Sequence, residues 1–108
     1  MEKLEINATD GNFKQEVLKS DLPVLMDFWA AWCDPCQMVA PMVEAIAKKY
    51  DGKFKMCKVN VDEAPNTLSE YGIMSISTLA IFKDGKVVYK VIGALSKSEL
   101  EAVVKKYI

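Results

Sequence analysis

The chain has 108 residues, enough for one domain and, at 51% apolar residues, enough for a real core. Lys plus Arg number 14 and Asp plus Glu 15, a net charge of −1 with both signs spread along the chain, which argues against a nucleic-acid or membrane surface. Three cysteines and no histidine exclude Cys/His zinc sites, Ser-His and Cys-His nucleophile pairs and a C-x-x-C-H haem attachment. An odd cysteine count also does not suit a disulfide framework. The N-terminal residues carry no apolar signal core and no run is long enough to span a bilayer, so the expected location is cytoplasmic.

In chain order, Leu4 and Ile6 predict a short edge strand. Asn12 with Gln15 three residues on reads as a capping box opening a helix to about Lys19. Val24 to Ala30 is apolar almost throughout, so it predicts a central strand covered on both faces; Asp27 is the exception. From Pro35 to Tyr50 the period turns helical, through Val39, Ala40, Val43, Ile46 and Ala47, with Pro41 expected to kink the helix. Pro35 suits the first helical position and Asp34 the cap before it. Phe54, Met56, Val59 and Val61 mark another strand. A short helix starts near Pro65 and ends before Gly72. Thr78 to Phe82 and Val87 to Ile92 are strands joined at Asp84-Gly85, a pair that tolerates positive φ. Ser96 to Glu99 is a capping box for a last helix burying Leu100, Val103, Val104 and Tyr107. The order β-α-β-α-β-α-β-β-α predicts an α/β fold with a mixed sheet of about five strands between about four helices, in one domain over residues 1–108.

The chemistry concentrates where the central strand hands over to the long helix, at Trp32-Cys33-Asp34-Pro35-Cys36. Residues three apart on a helix share a face, so Cys33 and Cys36 fall within the roughly 4.4–6.8 Å Cα separation that a disulfide needs. A helix N-terminus favours thiolate over thiol. Cys33, at the exposed mouth, is the expected nucleophile, and Cys36, one turn inside, the resolving thiol. Asp27 reads as a proton acceptor for Cys36 with its pKa raised by burial, against a side chain turned to solvent or a member of a buried ion pair; Lys58 on the next strand is its expected partner. Cys57 reads as a small buried hydrophobe. Trp29 reads as packing and Trp32 as part of a shallow binding surface beside Cys33.

With the tryptophan, the proline and the strand-to-helix context, this stretch resembles the thioredoxin family. So do Lys58-Val59-Asn60-Val61-Asp62, Tyr71-Gly72-Ile73, Phe82-Lys83-Asp84-Gly85 and Gly93-Ala94, so the resemblance covers nearly the whole chain. It implies a thioredoxin fold and a protein dithiol–disulfide oxidoreductase with no cofactor beyond its cysteine pair. It also implies the same roles for Asp27 and Lys58, and a client surface formed with Ile76, Ile92, Gly93 and Ala94, to which Asp34, Pro35 and Ser77 are added by position. The implied partners are a thioredoxin-reductase-like flavoprotein and disulfide-containing client proteins, with the chain a monomer acting in electron transfer and redox homeostasis.

Three positions depart from the family pattern: Asp34 where glycine is usual, Gln37 where a basic residue is common, and Ser77 where the family carries a cis-proline. A cis bond before a non-proline residue costs roughly 2.5–4 kcal/mol, so the Ile76–Ser77 bond is expected to be trans, with the thiolates more open to soft metals. The alternative reading is therefore a metal- or iron–sulfur-cluster protein on the same fold, with Cys33 and Cys36 as ligands and two chains completing the site. A redox-inert binding module is a third.

Overall fold

The computed structural model describes residues 5–74, 77–93 and 95–108. Five strands form one sheet: β1 (Glu5–Asn7), β2 (Val24–Trp29), β3 (Lys55–Asn60), β4 (Thr78–Lys83) and β5 (Lys86–Ile92), in the spatial order β1-β3-β2-β4-β5. β1 and β2 run parallel to β3, whereas β4 is antiparallel to β2 and β5 to β4. The expected mixed sheet, its hairpin and its edge strand are all present. At the hairpin tip Asp84 and Gly85 take φ of 54° and 78°, the doubly left-handed turn that matches the twist of paired strands.

Three α-helices, α1 (Asp34–Lys49), α2 (Pro65–Glu70) and α3 (Lys97–Tyr107), and a single π-helical turn at Lys14–Leu18 flank the sheet. Alternation along β2 divides the core. Leu25 packs with Val39, Val43 and Ile46 of α1 and Leu100 and Val104 of α3. Met26 and Phe28 pack on the other face with Phe13, Val17 and Ala64, where Leu68 and Tyr71 join them. β2 is covered on both sides, as its apolar run predicts. Asp27 therefore lies on the α1 side, between Leu25 and Trp29.

Two helix starts differ from expectation. Asn12 does not cap a helix. Its Oδ1 accepts from the Thr9 N–H at 2.7 Å and its Nδ2 donates to the Asn7 carbonyl, because the chain has already begun to turn at Thr9. The following turn has no side-chain cap and closes with the Lys19 N–H on the Lys14 carbonyl. In α1 the cap is Cys33, not Asp34. Cys33 has extended φ and ψ, its sulfur accepts the Cys36 N–H at 3.2 Å, and Asp34 and Pro35 occupy the first two helical positions. The helix runs on through Pro41 to Lys49. The α3 capping box forms as read, with Ser96 Oγ accepting the Glu99 N–H and Glu99 Oε1 accepting the Ser96 N–H, each at 3.1 Å.

Candidate active site

The two cysteines meet because β2 ends one short turn before α1 begins. The Cys33 N–H closes that turn on the Ala30 carbonyl, and Cys33 then caps the helix. Cys33 and Cys36 are joined as a disulfide with their Cα atoms 5.3 Å apart, inside the window set by their spacing. Cys33 is 5% exposed and Cys36 2%, so the nucleophile is less open than its position at the helix mouth implies. The turn packs both residues against Ala30, Trp29 and Val61, which leaves only a small opening at Cys33.

Asp27 is wholly buried in the middle of β2. Its register neighbours are Lys58 on β3 and Leu79 on β4, so the predicted pair sits side by side in the sheet. The Lys58 Nζ also lies 5.0 Å from the centre of the Trp29 ring, within cation–π range. Trp29 also packs against the cluster of Ala30, Cys33 and Cys36, a packing role as expected. Cys57 is completely buried, and burial pushes its pKa up to about 12, with Lys55 opposing the shift and Glu16 adding to it. It is a protonated core residue, distant in chemistry from the cysteine pair.

Trp32 is 67% exposed, with its Nε1 donating to Asp62 Oδ2 at 3.4 Å. Asp62 is positioned by a tight turn in which Asn60 Oδ1 accepts its N–H. Asp62 was not among the residues singled out for the site. No spacing signal links positions 30 apart, and only the parallel pairing of β2 with β3 joins them. Asp34 and Pro35 lie on the first turn of α1, and Ile92 is exposed at the end of β5. Gly93 has φ of 98°, a conformation that side chains rarely adopt, with open space where a Cβ would be. Its N–H donates to the Ser77 carbonyl at 2.9 Å, and Ser77 is buried. Met38 and Met74, also absent from the sequence reading, are strongly exposed. Ile76, Ala94 and the Ile76–Ser77 bond lie outside the described residues.

Comparison with known proteins agrees with this geometry. The family model described as Thioredoxin matches residues 5–106. The chain belongs to the thioredoxin family. It is 57% identical over 101 residues to a thioredoxin of Porphyra purpurea and to thioredoxin 1 of a Nostoc species, covering 94% of each chain. It is 53% identical over 97 residues to a thioredoxin of Pseudomonas aeruginosa, covering 90% of each. With the Cys33–Cys36 disulfide in place at the start of α1, the chain is a protein dithiol–disulfide oxidoreductase. Among the described residues no group of three or more His, Cys, Asp and Glu is arranged to hold a metal, and no helix is long and apolar enough to cross a membrane.

Proposed function

We propose that Cys33 is the attacking thiol and Cys36 the resolving one. In the reduced protein the α1 N-terminus favours the Cys33 thiolate. That thiolate attacks one sulfur of a client disulfide, forming a mixed disulfide and releasing the other client sulfur as a thiolate. Cys36 gives its proton to Asp27 and attacks Cys33 Sγ. The Cys33–Cys36 bond forms and the second client thiolate leaves. Lys58 lies beside Asp27 in the register and acts as its partner in this step. Clients dock on Trp32, Asp34, Pro35, Ile76, Ser77, Ile92, Gly93 and Ala94, with an extended client segment passing over the glycine.

The same reading makes residues 1–108 one domain that works as a monomer in the cytoplasm, without a cofactor. A thioredoxin-reductase-like flavoprotein returns the pair to the dithiol, and disulfide-containing proteins discharge it. The observation that supports it most is the disulfide at the N-terminus of α1, on the sheet face where Asp27 is buried. The test is reduction of insulin disulfides with dithiothreitol, beside metal analysis of the purified protein. A metal-free monomer that accelerates insulin reduction is expected. A coloured or metal-loaded dimer that leaves insulin intact would overturn the reading.

A further inference from the structure

Two buried polar atoms lie on the sheet face that carries the sulfur pair. Ser77 is 2% exposed, and among the described residues neither its Oγ nor the Trp29 Nε1 has a hydrogen-bond partner. Phe28 and Thr78 are the last pair of the antiparallel β2/β4 ladder, and Trp29 and Ser77 are the residues that follow them outward, one on each chain segment. Continuing the ladder by one step would set the two opposite each other, and directly opposed residues share a face. The Ser77 backbone is fixed there, because its carbonyl accepts the Gly93 N–H and extends the β4/β5 ladder. Trp29 packs against the cluster formed by Ala30, Cys33 and Cys36.

A buried hydroxyl without a partner is unusual and costly. An indole N–H can only donate and a hydroxyl can do either, yet the two do not bond to each other, so the Ser77 hydroxyl keeps its donor unused. The disulfide sulfurs are weak acceptors. Reduction changes that: two electrons and one proton convert the S–S bond into one thiol and one thiolate, and a thiolate is an anionic acceptor that forms charge-assisted hydrogen bonds. We propose that the Ser77 hydroxyl is a redox-linked positioning group, without a partner in the disulfide form and donating to the thiolate in the dithiol form. No proton is transferred; the hydroxyl keeps its hydrogen and orients it toward sulfur. The bond stabilises the reduced protein relative to the oxidised one, and the proposal rests on the redox cycle given above.

The deciding variant is Ser77→Ala, which removes the hydroxyl with little change in volume. Thiolate absorbance is titrated in the reduced protein, the dithiol–disulfide equilibrium is measured against glutathione, and both redox forms are melted. In Ser77→Ala the first thiol to ionise should become less acidic. The equilibrium should move toward the disulfide by about tenfold, equivalent to about 30 mV for a two-electron couple. The reduced form should melt lower, while the oxidised form, relieved of a buried hydroxyl without a partner, should melt no lower than wild type. Ser77→Thr, which keeps the hydroxyl, should restore the thiol acidity. Unchanged acidity and equilibrium in Ser77→Ala, or equal melting shifts in both redox forms, would overturn the proposal. A parallel insulin assay on the wild type separates the two questions. A wild type inert toward insulin counts against the functional reading, while the thiol titration still decides the role of Ser77.

Discussion

Two helices of this chain begin in the same way and do different work. At α3 the cap residue Ser96 is extended, its side chain accepts the N–H three residues on, and the side chain of that residue, Glu99, returns to Ser96. At α1 the cap residue Cys33 is extended, its side chain accepts the N–H three residues on, and the side chain of that residue, Cys36, returns to Cys33. In the first case the return is a carboxylate hydrogen bond. In the second it is a covalent bond that can be made and broken. The geometry that satisfies the free N–H groups of a helix start also brings the cap and third side chains together. Changing serine and glutamate for two cysteines turns a structural cap into a redox switch. What separates them further is the setting: the α3 box is on the surface, and the α1 pair sits on a buried strand end beside Trp29.

The largest effect comes from breaking the α1 pair while keeping its cap. Serine is a good cap residue, so Cys33→Ser should leave α1 intact, with a melting temperature near that of the reduced wild type. Insulin reduction should be lost altogether. Cys36→Ser should retain the attacking sulfur and accumulate mixed disulfides with clients, seen as mass-shifted adducts. Adducts on Cys33→Ser in place of Cys36→Ser would reverse the assignment of the two thiols.

Breaking the α3 box should have a smaller and purely structural effect. Ser96→Ala should cost about 1 kcal/mol of stability, read from the urea midpoint, and should cost it equally in both redox states. A difference between the states, or a loss of insulin reduction, would mean that α3 is coupled to the sulfur pair.

The comparison is sharpened by the residues beside the α1 cap. Asp34 places a negative charge next to Cys33, and Gln37 withholds a positive one. Asp34→Gly and Gln37→Lys should each make Cys33 more acidic, by less than about one pKa unit because both positions are exposed and screened. A less acidic Cys33 in either variant would refute this.

The smallest effect is expected in acid. The Ser96 N–H, then the Ser96 hydroxyl, hold the Glu99 pKa below its usual range. A group with a lowered folded pKa contributes stability that is present above the unfolded value and is lost as pH falls through the folded one. Glu99→Gln should therefore be slightly less stable than wild type at neutral pH. The gap should close as the solution is acidified through and below the usual glutamate range. A gap that widens in acid would show that the carboxylate is not the stabilising form.

Local chemistry made much of this molecule legible. The α3 box, the Asp84-Gly85 turn and the close approach of Cys33 and Cys36 follow from contacts between residues within a few positions of one another, and the apolar run of β2 marks it as a strand to be covered on both faces. Hydrophobic period and turn residues report such contacts directly. The two misplaced helix starts show the limit. Asn12-x-x-Gln15 has the letters of a capping box, but a turn beginning at Thr9 claims the asparagine first. Asp34 has the letters of a cap, but the cysteine before it takes the extended conformation and offers its sulfur.

By itself the sequence determined the order of elements, the two faces of β2 and the presence of a dithiol at a helix start, because each depends on short-range geometry. Only the tertiary structure decided the contacts between residues distant along the chain. Asp10 caps α2 from across the fold, accepting from Asn66 and Thr67, and although desolvation works to raise its pKa, those hydrogen bonds together hold it below the usual range. Asp62 reaches the Trp32 indole, Lys58 comes to lie over the Trp29 ring, and Ser77 is buried without a partner for its hydroxyl among the described residues. No periodicity encodes these neighbours. They arise when parallel and antiparallel strands lock into register and when burial removes water as the alternative partner.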